Sequence, residues 1–141
     1  MSARISNRWN TGVQAILDSA AILAFLNREV GHGPITDALA AGAGVCTANV
    51  AEIVGILMRR GLTAGEATQA LDDLPLTIVD VDLDLALRAG IMEQPTRRYG
   101  LSLGDRLCLA LAARERLPVM TADRIWAQAG PSIDVEVRLI R

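Results

Sequence analysis

The sequence predicts an α/β fold, a three-layer α/β/α sandwich around a mainly parallel central sheet. Short apolar runs alternate along the chain with longer segments whose apolar residues recur every three or four positions. Gly and Pro clusters punctuate the alternation. Only the last run alternates apolar and charged residues one for one, the pattern of a half-exposed edge strand.

Residues 1–12 are polar and contain Gly, Asn and Ser, and read as a flexible leader ahead of one domain at 13–141. Val13 to Asp18 reads as the first buried strand, and Ser19 to Glu29 as a helix with Ile22, Phe25 and Leu26 on one face. Gly31-His32-Gly33-Pro34 reads as a turn, and Pro34 suits the first turn of a short helix reaching Ala41. Gly44 to Thr47 is the second strand. The helix after it carries Val50, Ile53, Val54, Leu57 and Met58, an apolar stripe at i, i+3, i+4, i+7 and i+8, and Gly61 ends it. Another helix runs from Thr63 or Ala64 to Asp73, with Ala67, Ala70, Leu71 and Leu74 inward.

Leu76 to Val81 is the third strand, Asp82 to Gln94 the helix after it, and Pro95 to Gly100 a loop holding Arg97, Arg98 and Tyr99. Arg106 to Arg116 is apolar on nearly every side and is expected to form a buried central helix. Leu117 to Thr121 is the fourth strand, Arg124 to Ala129 a short helix, and Gly130-Pro131 a turn. In the final strand, Asp134 to Ile140, Val135, Val137 and Leu139 oppose Asp134, Glu136 and Arg138.

A chain of 141 residues is one domain with a proper core. With 51% apolar residues and only 3% aromatic, aliphatic side chains must fill that core. All 14 basic residues are Arg, and the net charge is −2, so a polyanionic partner needs a local Arg cluster and not an overall positive field. Cys46 and Cys108 lie in apolar runs and read as buried reduced thiols. Gln14, Asp18 and Ser19 interrupt the apolar run that follows Arg4 and Arg8, which argues against a signal peptide. No apolar stretch approaches the ~20 residues a spanning helix needs, so a cytoplasmic location and no membrane partner are expected.

Four acids fall where a strand reading meets a helix reading. They are Asp18 in Ile16-Leu17-Asp18-Ser19, Glu52 in Asn49-Val50-Ala51-Glu52, Asp105 in Ser102-Leu103-Gly104-Asp105-Arg106, and Asp123 in Thr121-Ala122-Asp123-Arg124. Any one of them has an ordinary role available: Asp18 and Asp123 as helix caps, Asn49 with Glu52 and Ser102 with Asp105 as capping boxes. Taken together they point elsewhere, because a parallel sheet gathers the carboxyl ends of its strands along one edge. Carboxylates converging there repel one another unless a hard divalent cation holds them. Glu52 shares a helix face with Asn49, so both can point into one cleft.

These same segments, with Leu107-Cys108-Leu109-Ala110-Leu111-Ala112 after Arg106, resemble the PIN-domain family, and within it the VapC-type toxins of bacterial type II (VapBC) toxin–antitoxin modules. The resemblance spans about residues 14–140; a leader of some 13 residues departs from it. It implies an endoribonuclease dependent on Mg²⁺ or Mn²⁺ that hydrolyses phosphodiester bonds of tRNA, rRNA or mRNA. Asp18 and Asp105 would be the firmest metal ligands, with Glu52 and Asp123 completing the catalytic cup. Ser19, Asn49 and Thr121 would support the carboxylates, and Arg97, Arg98, Arg106 and Arg124 would contact RNA or antitoxin phosphates and acids. The implied partners are a VapB-type antitoxin lying across the groove and a second copy of the toxin.

Other chemistries fit less well. Asp80-Val81-Asp82-Leu83-Asp84 invites a calcium loop, but the sixth position is Leu85 where Gly is needed and the twelfth is Ile91 where Glu is needed. Phosphatases of the haloacid dehalogenase type and receiver domains add a lysine, which this chain lacks. His32 is the single histidine, in a Gly-flanked turn, so no Ser-His-Asp or Cys-His arrangement competes. A catalytically silent PIN-fold binding module and a DNA or structure-specific nuclease are the alternatives.

Overall fold

The computed structural model describes residues 12–141, so residues 1–11 of the expected leader lie outside the described residues. The first half of the chain runs β1 (Ala15–Leu17), α1 (Ser19–Leu26), α2 (His32–Ala41), β2 (Ala43–Cys46), α3 (Thr47–Arg59), α4 (Ala64–Asp72) and β3 (Leu76–Val79). The second half runs α5 (Leu83–Ile91), α6 (Glu93–Thr96), a 3-10 turn (Arg97–Tyr99), α7 (Leu103–Glu115), β4 (Val119–Thr121), α8 (Ile125–Ala129), a second 3-10 turn (Gly130–Ile133) and β5 (Val137–Leu139).

The strands line up as β3-β2-β1-β4-β5 and every pairing is parallel. Strand order therefore reverses at β1: the chain proceeds outward to β2 and β3 on one side, then returns to lay β4 and β5 on the other. Period-2 alternation divides the strand side chains between two cores. Ala15, Leu17, Val45, Ile78 and Met120 join the layer built from α1 to α4. Ile16, Cys46, Val79 and Val119 join the layer that includes α5, α7 and Trp126 of α8. Both faces of the sheet are covered, which is why its strands read as continuous apolar runs. The three-layer sandwich is as the sequence predicts.

Local chemistry moves several boundaries. α7 begins at Leu103, three residues before the expected Arg106, because Ser102 and Asp105 form a reciprocal capping box. α2 begins at His32 instead of Pro34, after Gly31 turns the chain at φ 97°. Pro34 then falls in the first turn, where a missing N–H costs nothing. Pro95 is accommodated the same way, so the expected Pro95 to Gly100 loop is α6 followed by a 3-10 turn. Met58, expected inward on the α3 stripe, is 47% exposed; Ile53 and Leu57 take the buried face. Gly42 is required by its backbone: φ is 118°, and a Cβ there would lie 2.1 Å from the Gly12 carbonyl oxygen. Cys46 and Cys108 are buried and unpaired, as expected.

Candidate active site

Between β1 and β4 the connections leave in opposite directions, the switch point beyond whose strand carboxyl ends open parallel sheets place a crevice. Asp18 directly follows β1 and Asp123 follows β4 by two residues, while Glu52 lies in the second turn of α3 and Asp105 in the first turn of α7. The helices that contribute start at this edge because each follows or precedes a parallel strand. All four acids are thus delivered to one end of the sheet.

Asp18 is only 4% exposed. It caps α1 through Oδ1, which accepts from the Ala21 N–H at 2.7 Å, and Oδ2 accepts from the Thr121 hydroxyl at 2.5 Å. Burial drives its pKa from 3.8 up to about 7, and the charges of Asp105 and Asp123 push the same way; the Thr121 and Ala21 hydrogen bonds hold it back. Thr121 in turn accepts the Asp123 N–H at 3.0 Å, tying the ends of β1 and β4 together. Asp123 is exposed, and its Oδ1 accepts from the Ile125 N–H at the start of α8.

Asp105 accepts from the Ser102 N–H at 3.0 Å, and its own N–H donates to Ser102 Oγ. Burial raises its pKa most, against the Ser102 bonds, and the Glu52 and Asp123 charges raise it further. Glu52 Oε1 accepts from Ser19 Oγ at 2.6 Å and from Asn49 Nδ2 at 2.8 Å, which joins α1 to α3. Asn49 is 1% exposed and also reaches the Gly104 carbonyl of α7 at 3.4 Å. Ser19, Asn49 and Thr121 therefore all contact the acids.

Asp18 feels the charges of Asp105 and Asp123, and Asp105 those of Glu52 and Asp123. Each carboxylate is nevertheless held by neighbours of its own, and among the described residues no three Asp, Glu, His or Cys side chains close on a single metal position. The ordinary capping roles hold for Asp18 and for Ser102 with Asp105; Asp123 lies one residue before the α8 N-cap, Arg124, and among the described residues its side chain accepts only from the Ile125 N–H. Asn49 with Glu52 is not a capping box, since Cys46 caps α3. The donor chemistry still fits Mg²⁺, which keeps several waters and needs one or two carboxylates. Mutually repelling acids sharing a partly buried crevice are the groups such a cation relieves.

The arginines divide. Arg124 is exposed beside Asp123, with no polar partner for its side chain among the described residues. Arg98 lies 4.9 Å from the Tyr99 ring and donates to its hydroxyl. Arg97 pairs with Glu93, four residues back, at 3.0 Å. Arg106, expected to contact RNA or partner, is half-buried and donates through Nη1 to the Ala89 carbonyl of α5 at 3.0 Å. The Asp80 to Asp84 run is structural too: Asp82 caps α5, and Asp82 and Asp84 both approach Arg114. The residue that sequence reasoning missed is Gly104, where the Glu52 carboxylate takes the space a Cβ would fill.

Fold and site together define an open, all-parallel α/β domain with an acidic crevice at its switch point. The chain belongs to the PIN-domain family, whose model matches residues 15–130. Its fold is similar to chains of VapBC complexes. One from Salmonella typhimurium, bound to DNA, is 15% identical at a TM-score of 0.71, with 92% of this chain and 99% of that one covered. A toxin–antitoxin complex from Klebsiella pneumoniae gives 19% and 0.68, covering 91% and 98%. VapBC-5 from Mycobacterium tuberculosis gives 20% and 0.58, covering 92% and 98%. No curated protein sequence matches the chain. Among the described residues no helix is long and apolar enough to cross a membrane.

Proposed function

We propose that the protein is a metal-dependent endoribonuclease, the toxin of a toxin–antitoxin pair, using Mg²⁺ with Mn²⁺ as a substitute. The observation that carries this reading is Asp18, a carboxyl buried at the switch point whose pKa is driven up to about 7 with Asp105 and Asp123 close enough to contribute. Structural acids are seldom buried against like charges; functional ones often are.

Asp18 and Asp105 would hold the ion, with Glu52 and Asp123 completing the cup. When bound, such an ion supplies a water of lowered pKa and neutralises charge building on the phosphorane-like transition state. The chain's own contribution is orientation. Thr121 and the Ala21 N–H fix both oxygens of Asp18, Ser102 fixes Asp105, and Ser19 with Asn49 fix Glu52. Arg124, exposed beside Asp123 with no side-chain partner among the described residues, and exposed Arg98 suit contact with the phosphates flanking the cut.

For partners, we take a VapB-type antitoxin across the crevice and a second copy of the toxin. Leu83, Leu87 and Ile91, a row at i, i+4 and i+8 on α5, are 73%, 58% and 75% exposed, which suits a protein partner. A binding module without catalysis is the second reading, favoured by the local hydrogen bonds that each carboxylate already accepts.

The purified protein should cleave RNA in Mg²⁺ or Mn²⁺ and stop on chelation. Asp18→Asn and Asp105→Asn should each lower the rate by at least ~10²-fold with the fold retained, as expected when a group acting at the metal is lost. Expression without an antitoxin should arrest growth. Cleavage that persists in excess chelator rules out the metal mechanism, and a harmless, inactive wild type favours the binding module.

A further inference from the structure

Gly104 lies in the first turn of α7, one residue before Asp105, and a Cβ built on it would fall 2.5 Å from Glu52 Oε2, 2.7 Å from Cδ and 2.9 Å from Oε1. The Glu52 carboxylate fills the space that a side chain at 104 would take. The backbone makes no such demand, since Gly104 is not among the positive-φ glycines and alanine is the better helix former at an ordinary helical position. A carboxylate at the end of a flexible side chain could swing away from a methyl group. Here it is pinned: Ser19 Oγ and Asn49 Nδ2 both donate to Oε1, at 2.6 and 2.8 Å. Buried Asn49 also spans to the Gly104 carbonyl at 3.4 Å, clipping α3 to α7. Its Oδ1 has no partner among the described residues, and the opposite amide orientation would turn that oxygen onto the carboxylate.

We propose that Gly104 is a positioning residue: the notch over its Cα seats the Glu52 carboxylate and so sets the spacing of Glu52 and Asp105 across α3 and α7. Its bearing on metal binding rests on the nuclease reading above, whereas the notch itself can be tested without any metal.

Gly104→Ala should push the carboxylate off Ser19 and Asn49, and Glu52→Asp, one methylene shorter, should withdraw it from the methyl. Wild type, the two single variants and the double variant are compared by metal-free thermal unfolding, with circular dichroism to confirm the fold. Glu52→Asp should lower Tm in the wild-type background and not in the Gly104→Ala background; additive shifts would overturn the notch. The same four proteins are then titrated with Mn²⁺ by calorimetry. Gly104→Ala should weaken Mn²⁺ binding by ~10-fold or more, the usual loss when a group supporting a ligand is removed, and the double variant should bind more tightly than Gly104→Ala. RNA cleavage should fall in kcat with KM little changed. Equal Mn²⁺ affinity in wild type and Gly104→Ala would overturn the positioning role even if the melts are coupled. A wild type that takes up no Mn²⁺ would end both the nuclease reading and the positioning role, and leave the notch to be judged by the melts.

Discussion

At Asp18 the two carboxyl oxygens serve different neighbours, one capping α1 and the other meeting Thr121 across the sheet edge. Capping and metal binding are therefore compatible roles for one side chain, and the position of the cap decides which acids can be recruited. The cost shows in its proton affinity. Unfolded, Asp18 has the ordinary value of 3.8, and folded it titrates at about 7. An acid that holds its proton more tightly when folded makes the native state lose stability as pH rises through that window, by up to ~4 kcal/mol above pH 7. Without divalent cations, Asp18→Asn should therefore melt higher than wild type at pH 8, and the gain should shrink towards pH 4. A gain independent of pH would mean the burial is not felt as charge. Ser19, Asn49 and Thr121 were legible as residues flanking an acid, but only Asn49 donates to the acid it flanks in sequence: the Ser19 hydroxyl donates to Glu52 and that of Thr121 to Asp18. Arg106 shows what adjacency leaves out: its position beside Asp105 does not reveal that Nη1 donates to the Ala89 carbonyl of α5. Gly104 was invisible, since a lone helical glycine signals nothing until its neighbour in space is known.

α7 carries the argument at the scale of elements. It is buried nearly all round, and its N-terminal turn delivers Asp105 to the crevice. Its sequence-derived start came three residues late because Leu103-Gly104-Asp105 does not extend the apolar pattern; the true start is marked by polar chemistry, the Ser102 and Asp105 box. Ser102→Ala should cost ~1 kcal/mol in urea unfolding. It should also weaken Mn²⁺ binding, because Asp105 loses the serine hydroxyl that holds the cap together. A stability loss with unchanged Mn²⁺ affinity would make the box purely structural. α6 and the two 3-10 turns escaped notice for a related reason: Pro95 and Pro131 read as breaks, yet proline in a first turn is tolerated. Strand positions were clear because a doubly covered sheet writes uninterrupted apolar runs.

Over the whole molecule, the order β3-β2-β1-β4-β5 places the reversal beside Asp18. Alternation of elements announced a layered parallel sheet, but which strand is central depends on long-range pairing that no local pattern encodes. The chain carries a net charge of −2, so on the proposed nuclease reading its grip on RNA would depend on few cations such as Arg124 and Arg98. Binding should accordingly fall with salt on a shallow slope, ~2 to 3 phosphates' worth in a log–log plot. A slope as steep as that of a strongly basic protein would mean other arginines take part. Mg²⁺ should raise Tm of the wild type by mass action at pH 8 and leave Asp18→Asn unmoved. The most direct test is a crystal soaked in Mn²⁺ and measured for anomalous scattering. The expected result is one strong peak in ligand contact with carboxylate oxygens of Asp18 and Asp105. An empty crevice, or a peak held by other residues, would contradict the account.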